Sequence, residues 1–256
     1  MAWKRIVVSL MFLFGSGLGI AEEAPLQHLS VTAIDVNPGG QAAFEAFLSK
    51  YKAAVDKVGG DATWGVSTNA LGPARSYTIS AQMPGFAGLA TPPDPFGVIT
   101  EAFGEEEAQA AAASLQGAVA GTHGRAWRAL PALSVPGDNT NPPVGFTVLF
   151  IDVAGGEFDD FMEYSGKIAE AARQVGDRNY VSFAGMAGAP SDILVTLPIL
   201  SWEQLDTPPP PIPALLNQAF GEREGARIYE KGVGSIANIE STMLRTRPDL
   251  SRPPAN

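Results

Sequence analysis

The sequence predicts an α+β protein built from two tandem β-α-β-β-α-β units, and three observations predict it. The chain repeats itself, each copy shows the same alternation of strand-like and helix-like patterning, and a proline- and asparagine-rich connector separates the copies. Laid over itself at an offset of 117, residues 27–134 match 144–251 without a gap, with 25 identical pairs in 108. Composition alone would give roughly eight. The identities cluster: Ile34-Asp35-Val36 recurs as Ile151-Asp152-Val153, and Ala102-Phe103-Gly104-Glu105 as Ala219-Phe220-Gly221-Glu222. Arg128, Pro131, Leu133 and Ser134 return as Arg245, Pro248, Leu250 and Ser251. A period this long suits a duplicated domain rather than a solenoid. The expected division is a first repeat at 27–134, a linker at 135–143 (VPGDNTNPP), a second repeat at 144–251 and a tail at 252–256.

Each copy opens with a β-branched strand, Val31–Val36 or Phe146–Val153. A helix follows, because Phe44, Phe47, Leu48, Tyr51, Val55 and Val58 fall on one stripe at helical spacing. Phe161, Tyr164, Ile168, Ala172 and Val175 repeat the stripe, and Gly59 and Gly176 stand where a C-cap belongs. Two strands around a turn come next: Thr63–Ala70 and Arg75–Met83 about Gly72-Pro73, then Asn179–Ala187 and Ile193–Leu200 about Ala189-Pro190. Proline-rich loops lead into a second helix, near Phe96–Ala120 and Ala214–Ile239, with Pro95 placed as an N1 proline after Asp94. Gly104 and Gly221 are out of place inside those helices, and close packing or a kink would explain them. A last strand, Arg125–Leu130 or Thr242–Arg247, ends at a proline.

This order is the split β-α-β, ferredoxin-like motif: four antiparallel strands with both helices on one face. The other face of each sheet is bare, and two bare faces in one chain are most simply buried sheet to sheet, as a fused α+β barrel. On these elements the chain resembles the dimeric α+β barrel superfamily, which includes antibiotic-biosynthesis-monooxygenase-like and NIPSNAP-like proteins, with the usual dimer fused. Ser201-Trp202-Glu203-Gln204-Leu205 is similar to a tryptophan-containing segment such proteins carry after the third strand; Pro84-Gly85-Phe86-Ala87-Gly88 stands there in the first copy. The resemblance implies varied functions: cofactor-free oxygenation of aromatics, haem binding or degradation, lactone isomerisation, or none known.

At the N-terminus a basic stretch with Lys4 and Arg5, an apolar run from Ile6 to Phe14, and small residues at Gly19 and Ala21 read as a signal peptide of residues 1–21. The run is interrupted and short for a membrane anchor. The expectation is an exported, periplasmic or secreted protein, soluble and not membrane-inserted after cleavage. Net charge is −10 and becomes −12 without Lys4 and Arg5, which argues against nucleic acid as a partner. With no cysteine, disulfides, thiolate nucleophiles, zinc–thiolate sites and iron–sulfur clusters are excluded.

Candidate site residues come from strand sidedness. Thr32, Ile34, Val36 and Leu149, Ile151, Val153 form the more apolar set and belong under the helices, leaving Asp35 and Asp152 on the helix-free face. Arg128 and Arg245 sit on the neighbouring fourth strand, so an Asp–Arg pair is expected in each half. Such pairs could be a floor that orients an anionic or carbonyl ligand, or structural ion pairs. Trp64, Tyr77 and Trp127 align with Val181, Leu194 and Leu244, an asymmetry that could line one side of a flat hydrophobic ligand or could be core. The two histidines, His28 and His123, are not placed on a helix as the haem ligand of such relatives is, and no metal or other cofactor is expected. The functional expectation is a binder of a small hydrophobic ligand, monomeric because the dimer is already fused. The alternatives are a cofactor-independent monooxygenase or isomerase, and a structural or stress-associated protein without a ligand; whether it is an enzyme stays open.

Overall fold

A computed structural model describes residues 28–71, 75–83, 85, 94–137 and 141–254. The expected signal peptide, the turn at 72–74 and parts of the first proline-rich loop and of the connector lie outside the described residues. Among the described residues there are eight β-strands and six α-helices, and the strands pair antiparallel. No helix among them is long and apolar enough to cross a membrane.

The chain divides into two compact units, but not where the repeat would cut it. Unit 1 runs to Ala126 and regains the chain from Arg245 onward; unit 2 is Trp127–Leu244. Unit 1 contains β1 (His28–Val36), α1 (Gln41–Val58), β2 (Gly65–Asn69), β3 (Ser76–Met83), α2 (Pro95–Phe103), α3 (Glu105–Gln116) and most of β4 (Val119–Ala129). Its strands run β4-β1-β3-β2. Helix α1 forms as its stripe demands: Phe44, Phe47, Leu48, Tyr51, Ala54 and Val55 are buried, and Gly59 closes it in the left-handed region at φ 70°. These side chains meet Ile34, Val66, Tyr77 and Ile79 in one core.

Unit 2 holds the end of β4, a 3-10 turn at Pro131–Leu133, β5 (Gly145–Val153), α4 (Phe158–Val175), β6 (Val181–Gly185) and β7 (Ile193–Ile199). A 3-10 turn at Trp202–Asp206, α5 (Ile212–Phe220), α6 (Glu222–Val233) and most of β8 (Ile236–Thr246) complete it. The strand order is β8-β5-β7-β6-β4. Phe161 packs on Ile151 and Ile193, and Tyr164, Ala169 and Ala172 pack with Leu215, Leu216 and Ile228.

The single long second helix expected in each copy is two helices. Gly104 (φ 95°) and Gly221 (φ 83°) take conformations a side chain would resist, and each ends one helix and opens the next. The same glycines that looked misplaced in a helix interior are the break. The last strands begin earlier than expected, at Val119 and Ile236, because Gly117 and Gly234 terminate the preceding helices.

The gap-free alignment also misplaces one hairpin. Ile34 faces Tyr77 across β1–β3, whereas its counterpart Ile151 faces Ile193 across β5–β7, so the β2–β3 and β6–β7 hairpins correspond at an offset of 116. A one-residue slip exchanges the two faces of a strand. Tyr77 therefore corresponds to Ile193 and not Leu194, and Trp64 to Tyr180 and not Val181. The apparent asymmetry at Trp64 is an aromatic in both units.

Candidate functional site

Of the residues singled out by sequence, Trp64 and Tyr77 do not line a ligand face. Both are buried in the unit 1 core on the helix side of the sheet. The Tyr77 ring lies 4.7 Å from Phe44 and the Trp64 ring 5.1 Å from Tyr51, centroid to centroid. Their strand positions share the parity of Ile34, the face α1 covers.

The expected polar floor is not what the aspartates build. Asp35 does fall on the helix-free parity, but it is exposed and its carboxylate accepts a hydrogen bond from the Ser76 hydroxyl at 2.7 Å. Asp152 accepts from the Asn238 amide at 3.4 Å. Arg128 and Arg245 are both exposed. Arg128, the expected partner of Asp35, pairs in register with Ala184, which lies on the row of Ile193 and Ile151 and hence on the helix side. Alternation along a strand forces this, since Arg128 sits next to Trp127, whose side chain takes the helix-free side.

Trp127 is the member of the aromatic set that falls on the helix-free face. It is 0% exposed, and its indole N–H is buried with no hydrogen-bond partner among the described residues. Its ring centroid is 6.3 Å from that of Phe150 on β5, at 43°. Phe150 faces Leu194, Leu194 faces Phe183, and Phe183 faces Ala129, one apolar row across β5, β7, β6 and β4. Val148, Phe183 and Leu194 on this face are buried. Phe150 and Phe183 went unselected because period-2 alternation marks them only as strand residues. Nothing local shows that four strands carry them into one row.

Charged side chains gather elsewhere. In unit 1, Glu45 on α1 accepts from Tyr77 Oη at 2.5 Å, Arg247 Nη1 at 2.6 Å and Gln41 Nε2 at 3.2 Å. The Arg247 guanidinium holds the Glu45 carboxyl down at about 2 against the burial that opposes it. Burial, seconded by the Glu45 charge, pushes the Tyr77 phenol up to about 12. Arg247 also donates from Nε and Nη2 to Asp249, at 3.0 and 2.7 Å, so its fork is occupied. A phenol held protonated and a carboxylate held ionised by a bound arginine leave no base poised near neutral pH. In unit 2, Asp160, Glu163, Tyr164, Lys167, Arg227 and Lys231 line a cleft of about 20 Å³, the room of a single water.

Haem fits poorly to this chain's own donors. The two histidines of the sequence are His28, the first residue of β1, and His123, exposed on β4. Neither stands on a helix. Among the described residues no group of three or more histidines and carboxylates could hold a metal ion.

No family model matches the sequence, and no curated protein matches it either. Solved structures do. A monooxygenase-like protein of Fusobacterium nucleatum superposes with a TM-score of 0.51 at 11% identity, over 86% of this chain and 92% of that one. The likeness is one of fold. A second monooxygenase-like protein, from Lactobacillus acidophilus, gives 0.48 at 7% identity, over 91% of this chain and 100% of the other. Chlorite dismutase of Candidatus Nitrospira defluvii gives 0.49 at 8%, over 88% and 93%. These neighbours belong to the dimeric α+β barrel superfamily.

Proposed function

We propose that the chain is an exported small-molecule-binding protein, made of two fused ferredoxin-like copies of an α+β barrel unit, that takes an apolar ligand against the helix-free face of unit 2. The observation that carries this reading is the Trp127 indole N–H, buried beside Phe150 and without a hydrogen-bond partner among the described residues. A buried donor without a partner costs roughly 1–3 kcal/mol, which a ligand acceptor would recover. The aromatic row around it supplies the apolar contact area such ligands need. Export rests on the N-terminal pattern of Lys4, Arg5 and the run from Ile6 to Phe14. The likeness to a monooxygenase-like fold supports a second reading, cofactor-independent oxygenation or isomerisation of a hydrophobic compound on the same face. Binding is preferred because the side chains of this face, Trp127, Phe150, Phe183 and Leu194, offer apolar contact and an indole donor but no acid or base.

Native mass spectrometry of the protein purified from its own host tests the reading. The expected result is a retained small molecule whose occupancy falls by about tenfold in Trp127→Phe, which keeps the ring and removes the N–H. A bare mass from the native host, or a ligand indifferent to Trp127→Phe, would overturn it in favour of a protein without a ligand at this face.

A further inference from the structure

Unit 1 is finished by residues 247–252, which follow unit 2. Beyond β8, Arg247 N donates to Val66 O at 2.8 Å and Val66 N donates to Ser251 Oγ at 2.8 Å. Trp64 and Arg252 exchange both backbone hydrogen bonds at 2.9 Å, and Trp64 Nε1 donates to Leu250 O at 2.9 Å. Leu250 is 2% exposed and packs in the unit 1 core. Arg252 then ties the end of α1 and the turn after it, donating to Asp56 Oδ1 and Gly60 O at 2.7 Å each and to Ala62 O.

A matching segment finishes unit 2. Leu130 N donates to Ser182 O at 2.8 Å, Ser182 N donates to Ser134 Oγ at 3.0 Å, and Val135 and Tyr180 exchange backbone bonds at 2.9 and 2.8 Å. Leu133 is buried as Leu250 is, and Arg173 donates to Ala132 O and Ser134 O. The two segments are equivalent in bonding but not in chain order. Residues 130–135 stand at the start of unit 2, which they complete, whereas 247–252 complete unit 1 from beyond the whole of unit 2. The contacts of the latter span sequence separations of 181 to 202, so they close very long loops and should form late.

We infer that residues 247–252 are a latch for unit 1, and that the unit encoded first closes last. Without the latch, Val66 on β2 loses the partners of both its N–H and its C=O, and Trp64 loses its backbone partner Arg252 and the acceptor for its indole. Completion of unit 1 then waits on residues that follow the whole of unit 2. Neither the ligand nor the export reading enters this inference.

Hydrogen exchange on the full-length protein tests it, with Leu250→Ala and the milder Ser251→Ala set against the equivalent Leu133→Ala and Ser134→Ala. The latch variants should lower protection about tenfold or more in β2 and α1 while unit 2 changes less than twofold; the other pair should do the reverse. In pulse-labelled refolding of the unaltered chain, unit 2 amides should gain protection before those of unit 1. Equal loss in both units, or protection of unit 1 first or simultaneously with unit 2, overturns the inference. Should Leu250→Ala fail to fold, Ser251→Ala with Ser134→Ala decides it alone.

Discussion

Arg247 Nη1 donates to Glu45 Oε1 at 2.6 Å, joining the helix that opens unit 1 to a residue 202 positions later. Both side chains are only about a quarter exposed, and the pair is reinforced by the Tyr77 hydroxyl on the same oxygen. It is the polar seam through which the C-terminal segment is held on α1.

Glu45→Gln should therefore destabilise the protein by roughly 1–2 kcal/mol, the range for a partly buried, hydrogen-bonded ion pair after allowance for solvent screening. Urea unfolding at pH 7 measures it, and an unchanged midpoint would mean that Arg247 is held by Asp249 alone.

The same carboxylate sets an acid limb. Its pKa is depressed in the folded state, to about 2 from 4.5. Its contribution is thus fully present above about pH 4.5 and is lost as pH falls toward 2. Asp249 is lowered by the same arginine and acts in the same direction. In Glu45→Gln the fall of stability between pH 5 and 2.5 should be shallower than in the unaltered chain. Equal slopes would show that other carboxylates dominate.

Tyrosine ionisation supplies an alkaline counterpart. Burial pushes Tyr51, Tyr77, Tyr164 and Tyr180 each to about 12. These phenols favour the folded state while neutral, and that contribution is lost as pH rises from about 10 through 12. Ultraviolet titration should show most of the five tyrosines ionising only near pH 12, together with unfolding.

Gly232 on α6 lies directly against the Tyr164 ring of α4, where an added Cβ would overlap the ring. Tyr164 is buried and cannot swing away freely. Gly232→Ala should lower stability by about 1–3 kcal/mol, as overpacking does, and the melting temperature reports it. Recovery in the double variant with Tyr164→Leu would identify the ring as the cause.

Asp94 accepts from Gly97 N at 2.9 Å and is followed by Pro95 in the first turn of α2. Asp94→Ala should cost about 1 kcal/mol, the usual loss of an N-cap, with little effect on unit 2. A loss as large as that of Glu45→Gln plus unfolding of α1 would show a wider role for the loop.

What the sequence determined by itself is local and periodic. The 3.6-residue stripe from Phe44 to Val55, the glycine stop at Gly59 and the alternation of Ile34 with Asp35 are contacts among near neighbours, and each is present where the pattern put it. Tertiary structure decided the rest. The alignment could not show the one-residue slip that puts Tyr77 under α1, because pairing register is a relation between strands. Nor could it foresee that Asp35 accepts from Ser76 and Asp152 from Asn238, while Glu45 takes Arg247. Strands β4, β6, β7 and β5 bring Trp127, Phe183 and Phe150 to one face, and residues 247–252 close the first unit. Those partners are chosen by packing over separations that no local pattern encodes.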